Sequence, residues 1–179
     1  MILEKFGRLG NYIYICGKKI QIFMKEINLT QGLVALVDDE DFETLNQFRW
    51  YANKHGNTFY AGRNLRVNGK GKQVYMHQII LNGKCIDHRD MNGLNNQRSN
   101  LRFCTRSQNM MNRPKWGNTS SIYKGVSFHR GTKKWRTTIQ INGKIIHVGL
   151  FDTEVESARA YNKKAIELFC EFANLNIIP

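Results

Sequence analysis

The last third of the chain restricts the possible folds more than any other part. Residues 122–151 contain three strand-like runs, YKGVSFHR, WRTTIQI and IIHVGLF, separated by a Gly-Thr-Lys-Lys turn and an Asn-Gly-Lys turn. Asn-Gly between β-like runs is a strong hairpin signal. Thr153 and Glu156 then form a capping box, which predicts that a helix begins there. Apolar residues recur in this helix at steps of three and four, namely Val155, Ala158, Tyr161, Ala165, Leu168 and Phe172. A helix with one apolar face needs a sheet to cover it, so we expect a three-stranded antiparallel sheet packed on one helix.

The first 66 residues predict a small β-rich segment. Its strand candidates are residues 12–15, 20–24, 33–37 and 59–64. Residues 38–50, DDEDFETLNQFRW, place Phe42, Leu45 and Phe48 at three-residue steps behind an acidic start, which favours a short helix. A metal cluster at Asp38–Asp41 is the less favoured alternative, because consecutive carboxylates cannot all point at one ion.

The middle of the chain, residues 67–113, predicts a loop, an ambiguous apolar run and a strand-loop-strand-helix unit. VNGKGKQ at 67–73 is interpreted as a Gly-Lys loop, and VYMHQIIL at 74–81 fits either a helix or a strand. CIDH and NLRFC are short β runs joined by the turn-rich RDMNGLNNQRS, and Thr105 with Gln108 forms a second capping box.

These segments together predict an α+β protein. The expected domains are a β-rich N-terminal segment (1–66), a central domain (67–113), a linker containing Pro114 and Gly117 (114–121) and the C-terminal sheet-and-helix module (122–179).

Charge indicates the kind of partner. The chain has 179 residues, a net charge of +13 and a pI near 9.8, which favours a polyanionic ligand. Residues 1–60 carry seven basic and seven acidic side chains, whereas residues 61–113 carry ten against two. No run approaches the ~20 apolar residues of a membrane span, and no secretory signal is evident, so we expect an intracellular protein.

The four cysteines are scattered, at positions 16, 85, 104 and 170, without a C-x-x-C pair. They are interpreted as reduced, mostly buried thiols. A metal shared by Cys85 and Cys104 stays open as a weaker alternative.

The stretch from 85 to 113 combines groups suited to phosphodiester chemistry. The strand-loop-strand-helix order brings residues 87, 88 and 109 into range of each other. A carboxylate at Asp87 and an amide at Asn109 offer hard oxygen ligands, which suit magnesium better than copper or zinc. His88 stands beside them, and a histidine titrates near neutral pH and can accept a proton from water.

The same positions resemble the HNH endonuclease motif, specifically the phage and intron-encoded homing type with DH, then NL, then N. The resemblance implies a ββα-metal fold in which Asp87 and Asn109 bind one divalent ion, Mg²⁺ or Mn²⁺. It also implies that His88 is the general base and that Asn100 fixes the His88 backbone. By the same resemblance 74–81 is a helix packed beside the site, which would bring His77 near it. A structural role for His77 is favoured over a functional one. Arginines expected to hold the DNA phosphates are Arg89, Arg98, Arg102, Arg106 and Arg113.

Residues 122–176 resemble the Apetala-type, or ethylene-response-factor, DNA-binding domain, whose sheet enters the major groove. Residues 122–153 hold six basic side chains against one acid, which indicates the sheet as the DNA side. The expected contact residues are Lys124, Ser127, His129, Arg136, Thr138, Gln140 and His147. This set lacks several arginines and the tryptophan of the plant pattern, so the bases read are not implied. Trp135 is expected in the core, and Gly125 and Gly149 serve backbone geometry.

The two resemblances together predict a metal-dependent DNA endonuclease of the homing or homing-like phage type. It would act as a monomer on double-stranded DNA, without a small-molecule cofactor and without a membrane, in the cytoplasm of a bacterial host. Two alternatives stay open: a DNA-binding regulator whose HNH region does not cut, and a restriction-type HNH nuclease.

Overall fold

The computed structural model describes residues 12–15, 18–21, 24–115, 117 and 119–179. Its mixed α+β character confirms the expected class. The strands are β1 (Tyr12–Ile15), β2 (Lys18–Gln21), β3 (Met24–Asn28), β4 (Val34–Asp38), β5 (Tyr51–His55), β6 (Thr58–Val67), β7 (Lys70–Tyr75), β8 (Ile86–His88), β9 (Leu101–Phe103), β10 (Val126–His129), β11 (Lys134–Ile141) and β12 (Lys144–Phe151). The α-helices are α1 (Asp39–Asn46), α2 (Met76–Ile80), α3 (Arg106–Asn112) and α4 (Glu154–Phe169), and short 3-10 turns cover Thr30–Gly32 and Cys170–Phe172.

The chain forms two compact units, one ending at Arg102 and the other spanning Phe103–Pro179. The first unit contains small antiparallel sheets and a core shared by the N-terminal segment and the strands that follow it. Its buried members include Ile27, Val37, Leu45, Trp50, Met76, Ile80, Ile86 and Leu101. Burial of such side chains contributes about 1.5–3 kcal/mol each.

The acidic start at residue 39 begins a helix, as predicted. Asp39, Glu40 and Asp41 occupy the first turn of α1, where the helix dipole favours negative charge. Leu45 is buried in the core, but α1 ends at Asn46 and Phe48 lies beyond it, with its ring under the Arg63 guanidinium at 3.5 Å.

The expected Gly-Lys loop at 67–73 is wrong. Asn68 and Gly69 have φ values of 51° and 74°, the left-handed pair of a tight hairpin turn, and they join β6 to β7. The prediction also missed β5, and the strand candidate at 59–64 is part of a longer strand. Within 74–81 the first two residues end β7, and the helix that the resemblance implies is the short α2.

The second unit contains the sheet β10-β11-β12, on which α4 packs. Ile139, Tyr161, Ala165 and Phe169 form its main buried cluster. Gly125 has φ of 75°, and a Cβ there would collide with the Tyr161 ring and lie 2.6 Å from the Thr138 carbonyl oxygen, so glycine is required. The Asn-Gly turn at 142–143 is confirmed, with φ values of 51° and 77°.

The cysteines correct one expectation. Cys85 and Cys170 are exposed and Cys104 is half-buried, so the described thiols are not mostly buried. Cys16 lies outside the described residues. None of the helices in the described ranges is long and apolar enough to cross a membrane.

Candidate active site

The site begins with β8, whose three residues are all buried. Ile86 joins the core, and the backbone N–H of Arg89 donates to the Asn100 carbonyl oxygen at 2.9 Å, just beyond the strand pair β8-β9. Neighbouring residues in a strand face opposite sides, so Asp87 and His88 meet different partners.

Asp87 is held by Arg102 of β9. The Nε and Nη2 atoms of Arg102 donate to Asp87 Oδ2 at 2.9 and 2.7 Å, and both side chains are 6% exposed. The guanidinium charge compensates the buried carboxylate, which would otherwise be costly to ionise away from water. Arg102, an expected phosphate ligand, therefore lies inside the first unit against Asp87.

His88 lies among buried polar and aromatic groups. Its Nε2 is 3.4 Å from Oδ1 of Asn96, whose side chain is fully buried and donates from Nδ2 to the Leu94 carbonyl oxygen at 3.2 Å. Burial lowers the pKa of His88, against the opposing effects of Asn96 and the nearby carboxylates. The imidazole is therefore unprotonated near neutral pH, the form that a general base requires.

Two further rings surround His88. The His77 and His88 centroids lie 5.0 Å apart, edge to face, and the Tyr60 centroid is 5.6 Å from that of His88. Burial, followed by the neighbouring His88, lowers the pKa of His77 to about 3. Nδ1 of His77 has no hydrogen-bond partner within the described part of the chain. His77 thus packs as a neutral ring, which supports the structural role expected for it.

Asn100 connects the two ends of the loop that follows His88. Its Oδ1 accepts from the Asp90 backbone N–H at 3.0 Å, and its Nδ2 donates to Asp90 Oδ1 and to the Asn95 carbonyl oxygen, both at 2.8 Å. With the Arg89 contact described above, Asn100 fixes the backbone directly after His88. These contacts support the bracing role expected of it.

The N-terminal segment holds the same loop from outside. Asp38 accepts from the Arg98 backbone N–H at 2.7 Å, and the Arg98 guanidinium pairs with Asp41 at 2.7 Å and Glu40 at 2.6 Å. Gly93 lies so close to β6 that a Cβ would fall within 2.6 Å of Tyr60 ring atoms. The acidic start of α1 therefore has a second use, and Arg98 is engaged within the protein.

Asn96 is the site residue that the sequence prediction missed, since it was assigned to the loop only. Besides its contact with His88, its backbone N–H donates to the Leu36 carbonyl oxygen at 2.8 Å, which ties the loop to β4. The Asn-Asn pair at 95–96 was the sequence feature that could have indicated a buried asparagine at this site. Its first member faces Asp90 in a turn and its second is buried.

Asn109, the second expected ligand, lies on α3 in the second unit. The capping box that starts α3 is present, with Gln108 N–H donating to Thr105 Oγ1 at 3.2 Å. Arg106 and Arg113, at the two ends of this helix, are exposed. Within its own unit, α3 is held at its carboxyl end by Lys124, whose Nζ donates to the Met111 carbonyl oxygen at 2.8 Å.

The expected DNA-contact residues of the C-terminal sheet lie on its open face. Gln140 and His147 are exposed, while Arg136 and Thr138 are half-buried, and the alternating Thr137 and Ile139 are buried beneath them. Ser127 Oγ accepts from Arg136 Nη2 at 3.5 Å, and His129 Nδ1 is 2.9 Å from Thr132 Oγ1. Arg136, His129 and His147 border a shallow depression.

Lys124 differs from the other members of that set. Its Nζ donates to the Met111 and Arg113 carbonyl oxygens, and burial lowers its pKa to about 8. Trp135 is half-buried and packs with Tyr123, Val126 and Ala158, in agreement with its expected core position.

The residues around Asp87 fit a hard divalent cation in part. The carboxylate is an oxygen donor of the right type, and the Arg102 guanidinium holds it in position. No group of three or more His, Cys, Asp or Glu side chains arranged for a metal occurs among the described residues.

Comparison with known proteins agrees with the motif. A family model described as HNH endonuclease matches residues 79–111. An uncharacterized HNH endonuclease of Acanthamoeba polyphaga mimivirus is 32% identical over 154 residues, which are 83% of this chain and 77% of the relative. No solved structure matches.

The C-terminal region is similar to part of two plant proteins. An AP2-like ethylene-responsive transcription factor of Arabidopsis thaliana is 39% identical over 59 residues, and APETALA2-like protein 2 of Oryza sativa subsp. indica is 42% identical over 57. The matched segments are 33% and 32% of this chain but only 12% and 13% of the plant proteins.

Proposed function

This chain belongs to the HNH endonuclease family, and from that premise we propose that it hydrolyses phosphodiester bonds of double-stranded DNA with a divalent ion. The observation that carries the proposal is the position of His88, a buried and neutral imidazole whose neighbours fix its ring and backbone. Such a group is a ready proton acceptor at neutral pH.

In the proposed reaction His88 accepts the proton of the attacking water. Asn96 and the His77 and Tyr60 rings restrict the imidazole, so little rotational freedom is lost when water and phosphate bind. Asn100 holds the chain after His88 and thereby keeps the base at the end of β8.

We further propose that Asp87 and Asn109 hold one Mg²⁺ or Mn²⁺ ion, as the motif pairs them, with β8, β9 and α3 as the ββα-metal elements. When bound, the ion supplies neutralising charge to the scissile phosphate and its leaving oxygen. Arg102 orients Asp87. Exposed Arg89, Arg106 and Arg113 remain the proposed phosphate contacts.

Site choice is proposed to come from residues 122–179, an Apetala-type module whose open face carries Arg136, Thr138, Gln140 and His147. Asn and Gln side chains read adenine well, and arginine reads guanine. With more than one DNA-contacting region in a chain, we propose a monomer on an asymmetric site, in homing or homing-like biology.

The similarity to plant transcription factors favours a second candidate, a regulator that binds DNA without cutting it.

One assay separates the two candidates. Supercoiled plasmid carrying genomic DNA is incubated with Mg²⁺ or Mn²⁺ and the wild type, His88→Ala or Asp87→Ala. We expect nicked or linear product from the wild type and a loss of about 10²–10⁴ in rate for His88→Ala. Tight binding by the wild type without a cut in any plasmid would support the regulator instead.

A further inference from the structure

One face of the sheet β5-β6-β7 carries polar and aromatic side chains that the proposed mechanism does not use. Alternation along the paired strands places on this face, hereafter the polar face, Tyr51, Asn53, Asn64, Arg66, Gln73 and Tyr75. The opposite side of the same strands contains Ala52 and Ala61, which are buried. The polar face is thus the outer side of this sheet.

A chain of hydrogen bonds fixes the side chains of the polar face. Tyr75 Oη accepts from Asn53 Nδ2 at 3.0 Å and donates to Gln73 Oε1 at 3.1 Å. Gln73 Nε2 donates to Tyr51 Oη at 2.9 Å, and Tyr51 Oη donates to Asn64 Oδ1 at 3.0 Å. The chain is largely exposed to water, so burial alone does not account for it.

This series of hydrogen bonds ends at Asn64, whose amide nitrogen still has hydrogens to donate. Asn64 accepts through Oδ1, so its Nδ2 hydrogens point away from Tyr51. Arg66 follows two residues later on the same face, roughly 7 Å along the strand. Arg66 is exposed and has no ion-pair partner among the residues that the structure describes. An amide donor and a guanidinium side by side suit an anion.

The charge around this face is of one sign. Residues 58–75 contain four basic side chains and no acid. Arg66 is on the polar face, whereas the pairing places the other three, Arg63, Lys70 and Lys72, on the opposite side of the sheet. Among the described residues of the first unit, the acids are instead on β3, β4, α1, β8 and the loop after β8. Arg63 differs from the other three, because its guanidinium lies over Phe48.

The polar face is continuous with the catalytic histidine. Tyr75 stacks on His77 at 5.6 Å between centroids, and Tyr60, on the same strand as Asn64, lies 5.6 Å from His88. A DNA duplex carries a negative charge every ~1.7 Å along its axis, so a duplex that runs from His88 along this face would bring further phosphates close to it.

We propose that the polar face binds the DNA backbone beside the cleaved bond, with Arg66 and Asn64 as phosphate ligands. This inference rests on the proposed function for the identity of the bound polymer. It assigns the hairpin β6-β7 a contact with substrate, in a segment for which the sequence predicted a strand and a loop.

The test measures binding without catalysis. A fluorescent duplex is first selected by the full chain from a random-sequence pool in EDTA, and its affinity for wild type, Arg66→Ala and Asn64→Ala is then measured across salt concentrations. Lys54→Ala is the matched control, because Lys54 is an exposed base on β5 that alternation places on the other side of the sheet. Thermal unfolding verifies that every variant is folded.

We expect Arg66→Ala to weaken binding and to lower the slope of log K against log salt by about one, the loss of one phosphate contact. Asn64→Ala should remove hydroxyl-radical protection on one side of the cut, and Lys54→Ala should behave as wild type. If both variants match Lys54→Ala, the inference is wrong. Cleavage of the same duplex with Mg²⁺ is measured separately. A wild type that binds but never cuts overturns the proposed function, and the salt dependence of the variants still tests whether the polar face contacts DNA.

Discussion

Between β8 and β9 most of the buried side chains are polar, whereas under the C-terminal sheet most are apolar. The first group comprises Asp87, His88, Asn96, Asn100 and Arg102, and the second comprises Ile139, Tyr161, Ala165 and Phe169. A buried hydrogen bond or ion pair is directional and is costly when one partner is lost, while apolar contacts tolerate changes that keep the volume. The short strands β8 and β9 therefore position the site through hydrogen bonds and an ion pair between buried polar groups. The longer C-terminal sheet is stabilised mainly by burial of apolar side chains.

The largest effect on stability is expected from breaking the buried ion pair. Arg102→Ala leaves the Asp87 carboxylate buried without its cation, which should cost about 3–5 kcal/mol in the free energy of unfolding. Arg98→Ala removes an exposed pair with Asp41 and Glu40 and should cost about 0.2–1 kcal/mol. Urea unfolding of both variants measures the contrast. Equal losses would show that burial of the pair has no special weight.

The apolar side of the comparison is tested at Ile139, which is 2% exposed. Ile139→Ala should cost about 2–5 kcal/mol through lost transfer energy and a residual cavity. Ile145→Ala, on the adjacent strand but 66% exposed, is the control and should change little. Hydrogen exchange by mass spectrometry should place the loss of protection in Phe103–Pro179. A loss of protection confined to peptides before Arg102 would contradict the division of the chain into two compact units.

The sequence predicted the C-terminal elements well, because the spacing of apolar residues and the turn residues indicate the same elements there. The Asn142-Gly143 turn and the capping box at Thr153 both occur in the structure. The same turn signal at Asn68-Gly69 was overlooked, because the strand that follows it, β7, begins with lysines and a glycine and lacks an apolar pattern there. Strands β6 and β7 are stabilised by pairing and by their polar face.

The sequence predicted the motif of the candidate site, but it did not predict which residues the side chains of the site contact. Charge and spacing cannot distinguish an arginine that holds a phosphate from one that holds a carboxylate, since the guanidinium fork fits both. Arg98 meets an acid 57 positions earlier and Arg102 one 15 positions earlier, distances that local pattern does not encode. Asn96 was missed for the same reason, because its contact with His88 depends on the closed loop.

A smaller stability effect is expected at Asn96. Asn96→Ala removes the hydrogen bonds to His88 and to the Leu94 carbonyl oxygen in a fully buried position, which should cost about 1–3 kcal/mol. Ser99→Ala, an exposed change in the same loop, serves as the control. If the loss matched that of Ser99→Ala, the polar cluster would not act as a unit. A lower cleavage rate with unchanged DNA affinity would further indicate that Asn96 positions His88.

A pH dependence is expected in the second unit from Lys124, whose ammonium donates to backbone carbonyl oxygens. Lys124 has a pKa of about 8 in the folded protein against an ordinary 10.5, because it is partly buried. Between these values the unfolded chain binds more protons, so the free energy of unfolding gains a contribution that rises with pH from 8 to 10.5. Lys124→Met should lose that rise, whereas Lys163→Met, at an exposed position on α4, should retain it. Urea unfolding across this pH range compares the three proteins. A profile for Lys124→Met identical to wild type would mean that the ammonium is as well solvated when folded as when unfolded, and that the helix α3 carbonyls it contacts stabilise it as effectively as water does.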